Sequence, residues 1–193
     1  MSFRLSVLLH VRKAVRLIYN AFPCGRRLKP VAEKINNWFM AGSAGELIVV
    51  ERNDLRYELD LSQLIDALIF YEGEFEPETA ALFRHVVKAG MVVFDIGANV
   101  GAHGLPLARQ VGEEGHVYMF EPTDWAFNKL KKNLSLNPEL SHVTVERTAL
   151  SDQNSSKQQY SIRSQWRADG VASGMEEGVI DYVTLDGYCA IHS

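Results

Sequence analysis

Only two cysteines occur in the 193 residues, Cys24 and Cys189, far apart and with no metal-ligand spacing around either. A disulfide framework and a structural zinc site are therefore not expected, and a reducing, cytoplasmic compartment is the default. No stretch offers 18 uncharged apolar residues, so no ordinary transmembrane span is expected. Arg12, Lys13 and Arg16 interrupt the early apolar run, which argues against a secretory leader. Basic excess is missing too. Against 24 acidic residues stand 20 basic ones, a net charge of −4, where a general nucleic-acid binder usually shows a strong positive balance. There is no internal repeat. What is present is 47% apolar residues, enough for a real core in one globular domain or one with an appendage.

The charge is unevenly spread. Residues 1–34 hold eight basic residues (Arg4, Arg12, Lys13, Arg16, Arg26, Arg27, Lys29, Lys34) and one acid, Glu33, so the remainder carries 12 basic and 23 acidic residues. Phe3, Val7, Val11, Val15, Ile18 and Phe22 recur at helical spacing, with Arg12, Lys13, Arg16 and Asn20 opposite. A basic amphipathic helix over residues 2–22 is expected, docked by its apolar stripe onto its own domain or making peripheral contact with an anionic membrane. Pro23-Cys24-Gly25 ends it.

Three segments follow: 1–45 as this helical lead-in, 46–90 as an accessory layer and 91–193 as the main domain. In the second, Leu47–Val50 and Leu55–Leu59 read as two strands about the turn pair Asn53-Asp54. Ser62 is expected to cap a helix through Phe70, and Pro77 to open another running to about Lys88. From Met91 strand and helix alternate. Met91–Ile96, of buried type, Val117–Phe120 and Val143–Val145 are the expected strands, and the third is expected to lead directly to Asp152. Asp124 is the expected cap of the second helix, with Phe127, Leu130 and Leu134 inward and Lys129, Lys131 and Lys132 outward. Such alternation implies a parallel sheet with right-handed crossovers. Beyond it, Tyr160–Ile162 reads as a short strand and Ser164 to Gly178 as a polar loop.

In a parallel α/β sheet ligands bind at the carboxyl ends of the strands. Three acids are expected there: Asp95, Glu121 and Asp152. Between the first two lies the glycine loop Gly97-Ala98-Asn99-Val100-Gly101, where the missing β-carbons let backbone approach a ligand. NAD would present a pyrophosphate to this loop, which Asp95 would repel. S-adenosylmethionine would present an ammonium and a sulfonium, which a carboxylate attracts. Nor is Gly97-x-Asn99-x-Gly101 the G-x-G-x-x-G of dinucleotide folds. Glu121, 20 residues beyond Gly101, falls where an acid gripping a ribose diol belongs with either cofactor.

The run Val92 to His103, then Gly115 to Pro122, then Asn133-Leu134-Ser135-Leu136-Asn137, with Ala149–Asp152 and Val183–Asp186 in register, resembles the FkbM-type methyltransferases over roughly residues 46–188. The resemblance implies an S-adenosylmethionine-dependent enzyme of the class I methyltransferase type, an α/β, Rossmann-like parallel sheet preceded by helices and a β-hairpin. It would methylate an oxygen of a small molecule, sugar or lipid. Carried over by position, Asp95, Gly97, Asn99 and Gly101 form the methionine-side loop, Glu121 binds ribose and Asp152 lies near adenine. In that family the Thr-Leu-Asp segment continues into an Asp-Val-Glu-Gly strand end and further strands. This sequence stops at Ser193, so the N-terminal half of the sheet is expected, truncated at its C-terminal side.

His103, just past the loop, is the candidate general base for an oxygen acceptor. Two other classes of function compete with the enzyme. One is a truncated, non-catalytic remnant or interaction module, whose exposed first strand invites a homo-oligomer. The other is an NAD(P)-dependent enzyme.

Overall fold

The computed structural model describes residues 47–167 and 174–192. The expected amphipathic helix and Cys24 lie outside the described residues. The chain begins its described part with an antiparallel hairpin, β1 (Leu47–Arg52) and β2 (Leu55–Asp60), paired from Leu47 opposite Asp60 to Arg52 opposite Leu55. Asn53 and Asp54 form the two-residue turn with φ of 51° and 60°, the left-handed pair a tight hairpin of this hand requires. Alternation along β2 buries Leu55, Tyr57 and Leu59 on one face.

Helix α1 spans Leu64–Glu72 and α2 spans Pro77–Val86, with proline in the first turn of α2. Ser62 is not the cap of α1. Its amide donates instead to Asp60 Oδ1, and Gln63 takes the boundary position with no side-chain cap. The alternating unit then follows: β3 (Val92–Ile96), α3 (Gly104–Val111), β4 (His116–Phe120), α4 (Asp124–Ser135) and β5 (Val143–Glu146). The three strands form a parallel sheet in the order β3-β4-β5, as the sequence pattern implied. Among the described residues β3 lies at one edge of that sheet, with Val92 and Ile96 each 58% exposed.

One face of the sheet carries Val93, Asp95, Val117 and Met119 toward α3 and α4. The other carries Phe94, stacked on Tyr118 at 5.1 Å, and Phe120. The last helix, α5 (Leu185–His192), covers this second face through Tyr188, whose ring meets Phe120 edge-on at 4.9 Å and whose hydroxyl donates to Glu146 Oε1.

The third strand does not run on to Asp152. β5 stops at Glu146, and Ala149–Leu150 forms a separate short strand, β6, paired parallel to β8 (Met175–Val183) in a second three-stranded sheet ordered β6-β8-β7. β7 is Ser155–Arg163, far longer than the three residues expected. The expected loop from Ser164 to Gly178 is likewise partly strand, because β8 begins at Met175. Gly178 pairs with Tyr160 across the hairpin, and a β-carbon there would lie 2.8 Å from the Tyr160 ring. The glycine belongs to a strand beside an aromatic ring, where the sequence read as a turn.

The 46–90 layer is built into the core. Leu55, Tyr57, Leu59, Ile69 and Phe70 form one buried cluster with Val100, Leu105, Val117, Met119 and Leu130. Polar bonds reinforce this contact. Asn133 Oδ1 accepts the Glu58 amide, and Asn137 exchanges both backbone bonds with Arg56, so two asparagines one helical turn apart stand in for a partner strand along the free side of β2. Lys129, expected outward, turns inward and ion-pairs with fully buried Asp66 of α1. A lone buried carboxylate is costly, so the lysine follows its counter-charge and not the helical pattern.

Candidate functional site

The loop after β3 is tied to the end of β4. The amides of Gly97 and Ala98 both donate to Phe120 O, at 2.9 and 3.0 Å, and Gly101 closes a turn onto Ala98 O at 2.8 Å. Three of the five loop residues have left-handed backbone: Gly97 at φ 81°, Asn99 at 46° and Gly101 at 85°. Glycine at 101 is required twice over, since a β-carbon would also sit 2.7 Å from Leu130 Cδ1. Asn99 adopts the same region as a non-glycine and is held there at both ends. Its amide donates to Glu121 Oε2 at 2.9 Å and its side chain to Ser164 O at 3.3 Å.

Glu121 follows β4 and is only 4% exposed. Besides the Asn99 amide it accepts the amide and hydroxyl of Thr123 on Oε1, at 2.9 and 2.5 Å. The carboxylate thus locks the glycine loop to the entrance of α4. Asn133 also fixes the loop, by donating to Val100 O at 2.9 Å.

Asp95, on β3, points beneath the start of α3, where its Oδ2 would touch a β-carbon placed on Gly104. That oxygen is buried without a hydrogen-bond partner. Burial pushes the Asp95 carboxyl up to about 6. The negative charge of Glu121 adds to the rise, while His103 and the Gly104 amide, close by but outside hydrogen-bond geometry, oppose it. Asp95, Gly97, Asn99, Gly101 and Glu121 are therefore brought together at adjacent strand ends.

Asp152 follows β6, a strand of the second sheet. It occupies an exposed bend after β6, where Ser151 Oγ donates to its Oδ1 at 3.2 Å. His103 opens α3, and its ring lies between Phe75 and Phe83 at 5.4 and 5.3 Å, with Nε2 3.3 Å from Glu76 Oε2. No His, Cys, Asp or Glu group that could hold a metal ion occurs among the described residues.

Four contributors escaped sequence reading. Asn133 was visible only as part of a motif. Glu176 of β8 caps α4 by accepting the amides of Asp124 and Trp125, in place of Asp124 itself, which is the first helical residue and pairs with Arg147. Burial opposes ionisation of Glu176, yet hydrogen bonds from Tyr160 and from those two amides outweigh it and hold the carboxyl below its ordinary range. Gln63 and Asp66 line a narrow cleft beside Asn99, between Trp125 and Trp166, each with one buried side-chain oxygen lacking a partner.

No protein-family model matches the chain, and no curated protein does. Among solved structures, it is similar to an S-adenosylmethionine-dependent methyltransferase from Aquifex aeolicus (30% identity over 38% of each chain, TM-score 0.33). It is also similar to an S-adenosylmethionine-dependent O-methyltransferase from Thermotoga maritima, with 22% identity over 52% of this chain and 40% of the other, TM-score 0.37. A third is M. jannaschii TYW2 in complex with S-adenosylmethionine, at 20% identity over 51% of this chain and 42% of the other, TM-score 0.41. The chain spans about two fifths of the length of each of these proteins.

Proposed function

We propose that the chain is an S-adenosylmethionine-dependent methyltransferase, of the FkbM type its motifs resemble, acting on an oxygen of a small molecule, sugar or lipid. One observation carries the reading. Two carboxylates, Asp95 and Glu121, end adjacent parallel strands and flank a single left-handed glycine loop.

The residues fit that cofactor. Asp95 Oδ2 is a buried acceptor with no donor, which an ammonium group would supply. Glu121 accepts three hydrogen bonds in the structure, and a carboxylate has about four lone-pair sites, so it retains capacity for a ribose hydroxyl. A pyrophosphate in the same place would meet two negative charges, which disfavours an NAD(P) enzyme. Asp152 stays in the proposal as the adenine-side acceptor, its Oδ2 having no partner among the described residues.

S-adenosylmethionine, when bound, supplies an electrophilic methyl on a sulfonium that is already a good leaving group. The chain's own contribution is to hold and orient. Asp95 would neutralise the ammonium, Gly97 to Gly101 would let backbone approach it, and Glu121 would fix the ribose while keeping the loop in shape. His103 is the proposed base for the acceptor hydroxyl, positioned by two phenylalanine rings and by Glu76.

Photo-crosslinking of labelled S-adenosylmethionine to the 193-residue chain tests this. Labelling suppressed by S-adenosylhomocysteine and untouched by NAD supports the reading. Suppression by NAD alone, or a nicotinamide absorbance change on any substrate, overturns it.

A second reading, as a non-catalytic interaction module, draws on the exposed edge at Val92 and Ile96. Turnover by a chain that sediments as a monomer would exclude it. Peripheral membrane attachment through residues 2–22 is a separate proposal, abandoned if deleting that segment leaves liposome co-sedimentation unchanged.

A further inference from the structure

A cavity of about 860 Å³ lies between the β1–β2 hairpin and helices α1, α2 and α3, lined in part by His103 but by neither Asp95 nor Glu121. We propose that it binds a small organic anion with an apolar body, a phosphate or carboxylate head on an alkyl or aryl group. Its size is that of a small-molecule site. The floor is apolar and rigid, since Leu55, Tyr57, Ile69 and Leu107 all belong to the buried core.

The rim carries three arginines, and their partners decide the sign of the ligand. Arg84 is engaged by both carboxylate oxygens of Glu74, and Arg109 by Asp54, which leaves these two charges already compensated. Arg52 is different. It donates from Nε to Phe70 O at 3.0 Å and from Nη1 to Glu51 O at 2.8 Å, and its guanidinium carbon lies 4.9 Å from the Phe70 ring centroid. Among the described residues no carboxylate pairs with it, and burial pulls its pKa below the ordinary range. Among the described residues the side chain is thus fixed by two carbonyls and a ring, partly desolvated and without a counter-charge, with Nη2 left as a donor. A guanidinium in that state attracts an anion strongly, because much of the desolvation and ordering is already in place. An apolar body on the ligand would cover the floor while its head met Arg52.

The experiment uses the full chain and the fluorescent probe 8-anilinonaphthalene-1-sulfonate, an aromatic anion. One saturable site is expected, displaced by octyl phosphate at least tenfold more effectively than by octanol. Arg52→Gln should weaken the probe about tenfold, and Ala80→Trp, which fills the cavity without altering its charge, should abolish the site. Equal displacement by octanol and octyl phosphate overturns the proposal on the wild-type protein alone, whether or not either variant folds. Unchanged affinity in a folded Arg52→Gln protein also overturns it. Neither readout involves S-adenosylmethionine, so failure here leaves the methyl-transfer reading untouched, and the reverse holds.

Discussion

Asp95 is the residue whose chemistry depends most on its surroundings. Its carboxyl titrates near 6 in the folded chain, against 3.8 as a free side chain, with burial the main cause. The folded state therefore holds its proton more tightly than the unfolded state. Stability from this group is full below about pH 4 and is lost as pH rises toward 6, a drop on the order of 3 kcal/mol. Asp95→Asn should remove that drop, so urea melts should show the variant matching wild type at pH 4 and exceeding it at pH 7. A bound ammonium would favour the ionised form. Affinity for S-adenosylmethionine should then rise between pH 5 and 7, with proton release visible as buffer-dependent heat. Gly101 offers a steric test: Gly101→Ala forces a side chain into φ 85° and against Leu130, and should cost about 2 kcal/mol.

Among the elements, those with strong local signals were readable and those defined by distant partners were not. Asn53-Asp54 announced the hairpin because only a few residue types accept left-handed backbone at both turn positions. The β3–α3–β4–α4–β5 unit was legible from its apolar strands and punctuating glycines and prolines. β8 was not, since Ile180 is its one buried residue and Met175-Glu176-Glu177-Gly178 has the composition of a loop. The cap of α4 was equally hidden, because Glu176 arrives from 52 residues beyond Asp124. Glu176→Ala should destabilise the chain by about 1 kcal/mol, read as a lowered thermal midpoint. Asn133→Ala should cost more, about 2–4 kcal/mol. It strands both the Glu58 amide and the Val100 carbonyl, and Asn133→Asp should restore only the first of those bonds.

At the scale of the whole molecule, the layer that looked like a lead-in supports the loop on which the proposed chemistry depends. β2 is joined through Asn133 to Val100 in the glycine loop, and α1 through Asp66 to Lys129 on the helix after Glu121. Of the candidate site, the grouping of Asp95, the loop and Glu121 was visible in sequence, because strand ends and glycines mark it. The position of Asp152 was not, because β6 leaves the first sheet and joins a second. The central claim is that this loop and its two carboxylates take S-adenosylmethionine, and calorimetric titration of the 193-residue chain at neutral pH tests it most directly. The account predicts saturable heat with one site, weakened at least tenfold by Glu121→Ala in protein that remains folded. No heat from wild-type protein at millimolar cofactor, or undiminished affinity in the folded variant, would contradict it.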